Sequence, residues 1–279
     1  IKYLLFLSDV AVTPKSIVTS YLSGLFEGTN FLMPPDIEHV SALYLHRKFH
    51  AKYIDRGLFT SRAPYSHASR LRLQPHQVRN LAGPGLRIKD IRDRVLPRLI
   101  EKKEDYVIVQ VGTNDFCATN FSLEEFGRDF KFILKSIHDR PHRPTVLVVP
   151  VPDIPHVYDL TEGMYAFSAL SKKVSCAEFR GEADGVNGDD SRLCPYLRSY
   201  DKKGARRRLS EINNMMSETV LDMDEENRVF YSDAIADTSM VSEARIAMDC
   251  FHPNEYGQEA LADAAWHTVK DMFSIPEME

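Results

Sequence analysis

The feature of this sequence that most constrains its fold is a series of short apolar runs separated by longer segments with helical spacing. Runs such as IKYLLFL and TVLVVPV show no polar alternation, which is typical of strands covered on both faces. Five strands are predicted, at residues 1–7, 77–83, 106–112, 145–151 and 228–234. Strands that alternate with helices in this way predict βαβ units and a parallel sheet.

Helices are predicted between the later strands and after the last one. The segment 88–102 carries apolar residues at helical spacing. Ser122 begins a capping box with Glu125, which predicts the start of the next helix. Two further helices are predicted at 205–222 and 255–273.

These elements predict one domain over residues 1–279, with an irregular insertion at about 153–204. The predicted fold class is α/β, a three-layer α/β/α arrangement around a five-stranded, mostly parallel, flavodoxin-like sheet. Ligands of such sheets bind beyond the carboxyl ends of the strands. That edge would carry the loops 8–16, 83–87 and 112–120 and the loop before Glu255.

Charge and hydropathy exclude several kinds of partner. The net charge is −5, which gives no electrostatic reason to expect nucleic acid or an anionic membrane as a partner. The longest apolar runs are far shorter than the roughly 20 residues that a membrane helix needs, so no membrane span is expected. The sequence leaves the oligomeric state open.

The four cysteines allow three full pairings. Cys176 and Cys194 flank a polar loop, which suggests a disulfide across it, and free thiols in a reducing compartment are the alternative. Paired cysteines would favour a secreted or lumenal protein. No cysteine or histidine cluster has zinc spacing, and we expect no metal and no cofactor.

The loops of the functional edge contain four short blocks, which we number one, two, three and five. Block one is SDVAV after the first strand, block two is NLAGPGLR, block three is VGTNDF, and block five is DCFHPNEYG near the last helix. Taken singly they are weak, because GTND also suits a plain strand-to-helix turn. Their order along the chain and their shared edge make the combination more specific than any one block.

Together the four blocks resemble the SGNH hydrolases, also called GDSL esterases and lipases. The likeness is greatest to the phospholipase B-like branch, through GTNDFC and DCFHPNEYG. The resemblance implies an ester hydrolase with a lipid or small acyl-ester substrate. It also implies that Cys117 and Cys250 lie near the active site, either joined in a disulfide or as free, small core residues.

The resemblance implies a role for each matching residue. His252 would be the general base, and Asp249 would fix its tautomer and stabilise the imidazolium. The side-chain amide of Asn114 and the backbone N–H of Gly85 would form the oxyanion hole. Asp115 is expected to be structural rather than catalytic. Each of these residues also has a plain structural alternative, which for His252 is a cap on the last helix.

Block one departs from the family pattern, whose Gly-Asp-Ser-Leu carries the nucleophilic serine. The register that follows the first strand places Ser8 on the glycine, Asp9 on the aspartate and Val10 on the nucleophile. Valine cannot attack a carbonyl. The register therefore favours a missing nucleophile, although the other functional positions keep the right chemistry.

Three interpretations of block one remain open. The chain is a pseudo-hydrolase that binds a ligand or partner, or Ser8 serves as a displaced nucleophile, or His252 activates a water without a covalent step. Ser8 lies nearly 7 Å from the expected position if the segment is extended. Thr13 and Ser16 would require the loop to fold back. A nucleotide-binding flavodoxin-like protein is a distant alternative, because no phosphate-binding glycine loop follows the first strand.

Two further segments have competing interpretations. Asn120-Phe121-Ser122 is a glycosylation sequon, but Ser122 as a helix cap accounts for the same residues. The basic run KKGARRR at 202–208 is expected to be the solvated start of a helix, with lipid-headgroup binding as the alternative.

Overall fold

The computed structural model of the chain describes part of its length. The described residues are 4–8, 65–73, 77–81, 86–100, 103–167, 173–179, 194, 196–197, 202–223, 228–246 and 250–273. Several predicted site residues lie outside these ranges, namely Asp9, Val10, Thr13, Ser16, Gly85 and Asp249.

The described strands form one parallel sheet and one small hairpin. In chain order they are β1 Leu4–Ser8, β2 Val78–Asn80, β3 Tyr106–Gln110, β4 Thr145–Val149, β5 Tyr165–Phe167, β6 Lys173–Ser175 and β7 Val229–Tyr231. The sheet has the order β2-β1-β3-β4-β7, and each neighbouring pair is parallel. Strands β5 and β6 pair with each other in antiparallel fashion. The predicted α/β class with a parallel sheet is confirmed.

The described helices follow the strands. They are α1 His67–Arg70, α2 Ile88–Asp90, α3 Leu96–Leu99, α4 Thr113–Cys117, α5 Leu123–His138, α6 Ile154–Leu160, α7 Cys176–Phe179, α8 Lys202–Met223 and α9 Glu255–Val269. Short 3₁₀ turns lie at Asp233–Ala236, Thr238–Met240, Glu243–Arg245 and Lys270–Phe273. The predicted insertion at 153–204 is therefore not wholly irregular, since it contains α6, α7 and the β5–β6 hairpin.

The helix predicted at 88–102 is interrupted in its middle. A π-helical turn, Ile91–Val95, separates α2 from α3, and the N–H of Leu96 donates to the carbonyl of Ile91. Pro97 follows at once, and proline has no N–H to donate and crowds the preceding turn. The wider turn is consistent with the space that this ring needs.

Alternate residues of β3 and β4 pack on opposite faces of the sheet, as the strand period of two requires. Val107, Val109, Val146 and Val148 join a core cluster with residues of α5 and α8. Tyr106, Ile108, Leu147 and Val149 join a second cluster with residues of α1 and α9. Helices therefore cover both faces, which explains why these strands read as unbroken apolar runs.

The two disulfides differ from both predicted pairings. Cys117 is bonded to Cys194, and Cys176 is bonded to Cys250. The predicted bridge between Cys176 and Cys194 is wrong, and so is a bridge between Cys117 and Cys250. Spacing along a loop does not reveal where its ends lie once the sheet has formed. Cys194 is instead bonded to Cys117, which directly follows block three, and Cys176 is bonded to Cys250 in block five.

No helix among the described residues combines the length and apolar character that crossing a bilayer requires.

Candidate functional site

Block three lies at the carboxyl edge of β3, where the chain turns sharply into α4. Gly112 makes the turn with φ 104°, in the left-handed region that favours glycine. A Cβ at this position would lie 2.8 Å from Cγ2 of Val151. Glycine at position 112 therefore permits the sharp turn that brings Asn114 to the sheet edge directly after β3.

Asn114 joins block three to block two. Its Nδ2 donates to the carbonyl oxygen of Leu86 at 3.0 Å. Leu86 is the next residue after Gly85, the second predicted oxyanion-hole donor, which lies outside the described residues. The structure thus brings Asn114 against the loop that carries Gly85, as expected for loops that share one sheet edge.

Asp115 makes a second contact with the same loop. Its Oδ2 accepts a hydrogen bond from the N–H of Ile88 at 2.9 Å, and the side chain is buried. Burial raises the pKa of Asp115 to about 6, although the hydrogen bond from Ile88 and the charge of Arg87 oppose the shift. This contact fits the structural role expected for Asp115.

His252 is buried, with 8% of its surface exposed. Its ring meets the ring of Phe251 edge-on at 5.0 Å between centroids, and Phe251 in turn meets Tyr158 at 6.2 Å. Tyr158 belongs to α6, which begins after the carboxyl end of β4. The contact chain therefore ties the His252 segment to α6, the helix that follows β4.

Several contacts hold the His252 segment, residues 250–254, in place. Cys250 has φ 62° and is tied to Cys176 by a disulfide, and Pro253 forms an isolated bridge with Ile246. Asn254 accepts a hydrogen bond from the N–H of Gly257 at 3.0 Å and so caps α9. This cap was not predicted, although an asparagine directly before a helix is a recognisable signal.

Gly257 is fixed by close packing. A Cβ at this position would meet the carbonyl oxygen of Arg245 at 2.4 Å and Cβ of Pro253 at 2.9 Å. The first turn of α9 can approach the Glu243–Arg245 turn only with glycine at this position. The glycine of block five thereby brings the helix start close to the His252 segment.

Arg208 is a further residue near block three that sequence reasoning missed. Its guanidinium carbon lies 3.9 Å from the ring centroid of Tyr196 and 4.3 Å from that of Phe121. Its Nη2 donates to the carbonyl of Ala118 at 2.8 Å, and burial lowers the pKa of Arg208. Tyr196 lies two residues after Cys194, so this stack adds to the disulfide that joins Cys194 to α4.

The other basic side chains of the run, at 202, 203, 206 and 207, are exposed as predicted, whereas buried Arg208 departs from that prediction. Lys202 and Arg206 both pair with Asp159, and Arg207 lies 3.8 Å from Glu211. These cations have local carboxylate partners, so the solvated interpretation describes the exposed part of the run better than a lipid-headgroup patch does.

Ser122 caps α5 through a hydrogen bond from the N–H of Glu125, which is one half of the predicted capping box. The contacts of the described residues do not include the return bond from the Glu125 side chain to the N–H of Ser122. Asn120 is exposed, and its Oδ1 accepts from Nη1 of Arg87 at 2.8 Å.

Block one is described only in part. Ser8 is the last residue of β1 and pairs in register with Gln110 of β3, which places its backbone at the carboxyl edge. The position of its side chain and all of Val10 lie outside the described residues. The role of Ser8 therefore stays a prediction.

A family profile described as GDSL-like lipase/acylhydrolase matches residues 44–265, most of the chain. The chain belongs to the GDSL-like lipase/acylhydrolase family. The matched range contains blocks two, three and five of this GDSL-like chain. It begins after block one, the block that departs from the family pattern.

The GDSL-like chain also resembles solved structures at low identity. The structure of TesA is 12% identical, with coverage of 97% of this chain and 99% of that one, and a TM-score of 0.48. Axe2, an acetylxylan esterase from Geobacillus stearothermophilus, is 14% identical, with coverage of 95% and 93% and a TM-score of 0.49. The psychrotrophic esterase EstA from Pseudoalteromonas sp. is 11% identical, with coverage of 98% of each chain and a TM-score of 0.44. No curated protein sequence matches the chain.

Proposed function

We propose that this GDSL-like protein is a carboxylic ester hydrolase that acts on a lipid or small acyl ester by acyl transfer. The observation that carries the proposal is the hydrogen bond from Nδ2 of Asn114 to the carbonyl of Leu86. It joins one predicted oxyanion-hole residue to the loop that carries the other. An oxyanion hole needs donors from separate loops held at fixed positions, and this contact supplies such a link.

In the proposed reaction, a serine Oγ attacks the ester carbonyl and transfers its proton to His252. Asp249 orients the imidazole and stabilises its cationic form. The amide of Asn114 and the N–H of Gly85 stabilise the negative oxygen of the tetrahedral intermediate. The intermediate collapses, His252 returns the proton to the departing alcohol, and water then hydrolyses the acyl-enzyme by the same steps.

Ser8 is the serine that we propose for the attack. Its backbone lies at the carboxyl end of β1, beside Gln110 of β3, and thus at the same edge as Asn114. A second candidate function is favoured by Val10, which occupies the expected nucleophile position. In that case the protein is a pseudo-hydrolase that binds a ligand or a partner through the same edge.

Two broader features accompany the proposal. We propose the flavodoxin-like arrangement for the whole domain, and the strand order β2-β1-β3-β4-β7 supports it. We also propose a secreted or lumenal location, because disulfides persist in oxidising compartments and all four cysteines are paired.

The test is hydrolysis of p-nitrophenyl acetate by the wild type and by Ser8→Ala, His252→Ala and Val10→Ser. A displaced nucleophile predicts an active wild type that both alanine variants inactivate. A pseudo-hydrolase predicts a silent wild type and a Val10→Ser variant whose activity needs His252. The matched control is His267→Ala, since His267 is an exposed histidine of α9 and should not affect the rate.

Two results would overturn the ester-hydrolase proposal. One is a wild type whose hydrolysis is unchanged by His252→Ala. The other is silence of the wild type and of Val10→Ser, together with no labelling of any serine by a fluorophosphonate probe. The pseudo-hydrolase alternative is overturned if the probe labels a single serine of the native protein.

A further inference from the structure

Two neighbouring residues of α4 hold the same three-residue stretch of block two. Nδ2 of Asn114 donates to the carbonyl of Leu86 at 3.0 Å, and Oδ2 of Asp115 accepts from the N–H of Ile88 at 2.9 Å. The two contacts lie on either side of Arg87. Two anchor points on a short stretch fix its rotation as well as its distance from α4, which a single hydrogen bond does not.

The stretch held in this way begins immediately after Gly85. The proposed oxyanion hole needs the amide of Asn114 at a fixed position. The contact between Asp115 and Ile88 holds the stretch Leu86–Ile88 beside α4, and the amide of Asn114 bonds to that same stretch.

A second carboxylate makes a useful contrast. Oδ2 of Asp90 accepts from the N–H of Arg87 at 3.1 Å and caps the same turn. Asp90 belongs to α2, so it moves with the loop and does not connect it to block three. It stabilises the local turn only, whereas Asp115 reaches across from α4.

The environment of Asp115 is unfavourable for a carboxylate that only caps a turn. The side chain is buried, and burial is what raises its pKa. A buried carboxylate costs free energy unless its contacts compensate. Side chains kept in such unfavourable environments are concentrated at functional sites.

We propose that Asp115 is a positioning residue of the oxyanion hole, which holds Leu86–Ile88 against α4 and so fixes the amide of Asn114 where the proposed function needs it. This inference rests on the proposed function, and it assigns Asp115 no contact with the substrate.

The experiment compares Asp115→Ala, Asp115→Asn and the control Asp90→Ala in the active form of the protein, which is the wild type or, if that is silent, Val10→Ser. Asp115→Ala is expected to lower kcat for p-nitrophenyl acetate by roughly 10- to 100-fold, with KM within about twofold, because small misplacements are costly in the transition state. Asp115→Asn keeps an acceptor oxygen for Ile88 and should restore most of kcat. Asp90→Ala should leave kcat within about twofold of its parent.

A second readout follows the geometry without activity. The side-chain amide resonance of Asn114 and the hydrogen exchange of the Ile88 amide, whose N–H donates to Asp115, are measured by NMR. Asp115→Ala should shift the resonance and speed the exchange at Ile88. Asp90→Ala should leave the Asn114 resonance in place.

The possible outcomes separate the two proposals. If the parent is active and Asp115→Ala keeps its kcat, the positioning role is overturned while the hydrolase proposal stands. If no form hydrolyses the ester, the hydrolase proposal fails. The positioning of Asn114 by Asp115 is then judged by NMR alone, and an Asn114 resonance that does not move in Asp115→Ala would overturn it.

Discussion

Cys250 is bonded to Cys176, so the backbone two residues before His252 is covalently attached to the first residue of α7. The other disulfide joins Cys194 to Cys117, three residues after Asn114. Both blocks that carry the proposed catalytic groups are thus tied to the same insertion, at two cysteines separated in the sequence by residues 177–193. The insertion is therefore part of the framework of the site.

We predict that removing either disulfide lowers the free energy of unfolding by a similar amount. The two bridges close loops of nearly equal separation, 77 and 74 residues, and such bridges contribute about 2–4 kcal/mol. The comparison uses the double variants Cys117→Ala/Cys194→Ala and Cys176→Ala/Cys250→Ala, with urea unfolding at pH 7. Because the loop lengths match, each variant controls for the other.

The same two variants should differ in activity. Asn114 lies in a helix that the Asp115–Ile88 hydrogen bond also anchors, whereas the segment around Cys250 is irregular and has φ 62° at that cysteine. Loss of Cys176–Cys250 should therefore reduce kcat of the active form more than loss of Cys117–Cys194. Equal kcat in the two variants would show that the His252 segment does not need its bridge.

Much of the architecture could be predicted because it depends on local patterns. β3 and β4 are unbroken apolar runs, and they are the buried centre of the sheet. Ser122 caps the start of α5, as predicted. The disulfides could not be predicted, because pairing depends on where the ends of the insertion lie after folding.

The candidate site was predictable at the level of its loops but not of its contacts. The shared sheet edge predicted that blocks two and three would meet, and Asn114 does contact Leu86. No local pattern predicts that Asp115 reaches Ile88, or that Arg208 lies over the rings of Tyr196 and Phe121. Such contacts depend on side-chain directions across elements distant in the chain, which periodicity does not encode.

We predict that Asp115→Asn makes the protein more stable above pH 6. The pKa of Asp115 is raised from 3.8 to about 6 in the folded state, so its favourable contribution is complete below pH 3.8 and is lost as the pH rises through 6. Asparagine keeps the acceptor oxygen and carries no charge. The free energy of unfolding at pH 7.5 should rise by about 1–3 kcal/mol relative to the wild type.

The pH dependence of that gain is the decisive part. Urea unfolding of both proteins from pH 4 to pH 8 should show the difference shrinking towards zero near pH 4. Taking the difference at each pH cancels the titration of every other group. A gain that is constant with pH would mean that the buried carboxylate is not its source.

We predict the opposite pH dependence for His67. This histidine is fully buried, its Nε2 donates to the carbonyl of Ala262 at 3.2 Å, and its Nδ1 accepts from the hydroxyl of Tyr106 at 2.9 Å. A carbonyl can only accept, which sets this tautomer. Burial lowers the pKa of His67 to about 3. Its contribution is therefore complete above pH 6.5 and is lost as the pH falls towards 3.

The variant that tests this is His67→Gln, which can donate and accept at the same positions but does not titrate. Between pH 6.5 and pH 5 the wild type should lose about 2 kcal/mol that the variant does not lose. His267→Gln, an exposed substitution on α9, should keep the wild-type slope. If His67→Gln also keeps that slope, another group is responsible for the acid sensitivity.

We predict that Gly257→Ala disturbs the His252 segment as well as the stability of the fold. The new Cβ would lie 2.4 Å from the backbone oxygen of Arg245, which cannot move as a side-chain end can. The start of α9 must shift instead, and with it the cap that Asn254 forms and the bridge of Pro253. The free energy of unfolding should fall by about 1–3 kcal/mol, as for other overpacked sites.

The matched control is Gly163→Ala, because a Cβ at Gly163 meets nothing within 4 Å among the described residues. It should be neutral or stabilise by up to about 1 kcal/mol through the unfolded chain. Gly257→Ala should also lower kcat of the active form, since His252 lies two residues before the displaced cap. If Gly257→Ala loses stability but keeps kcat, the His252 segment is held by its disulfide and not by the start of α9.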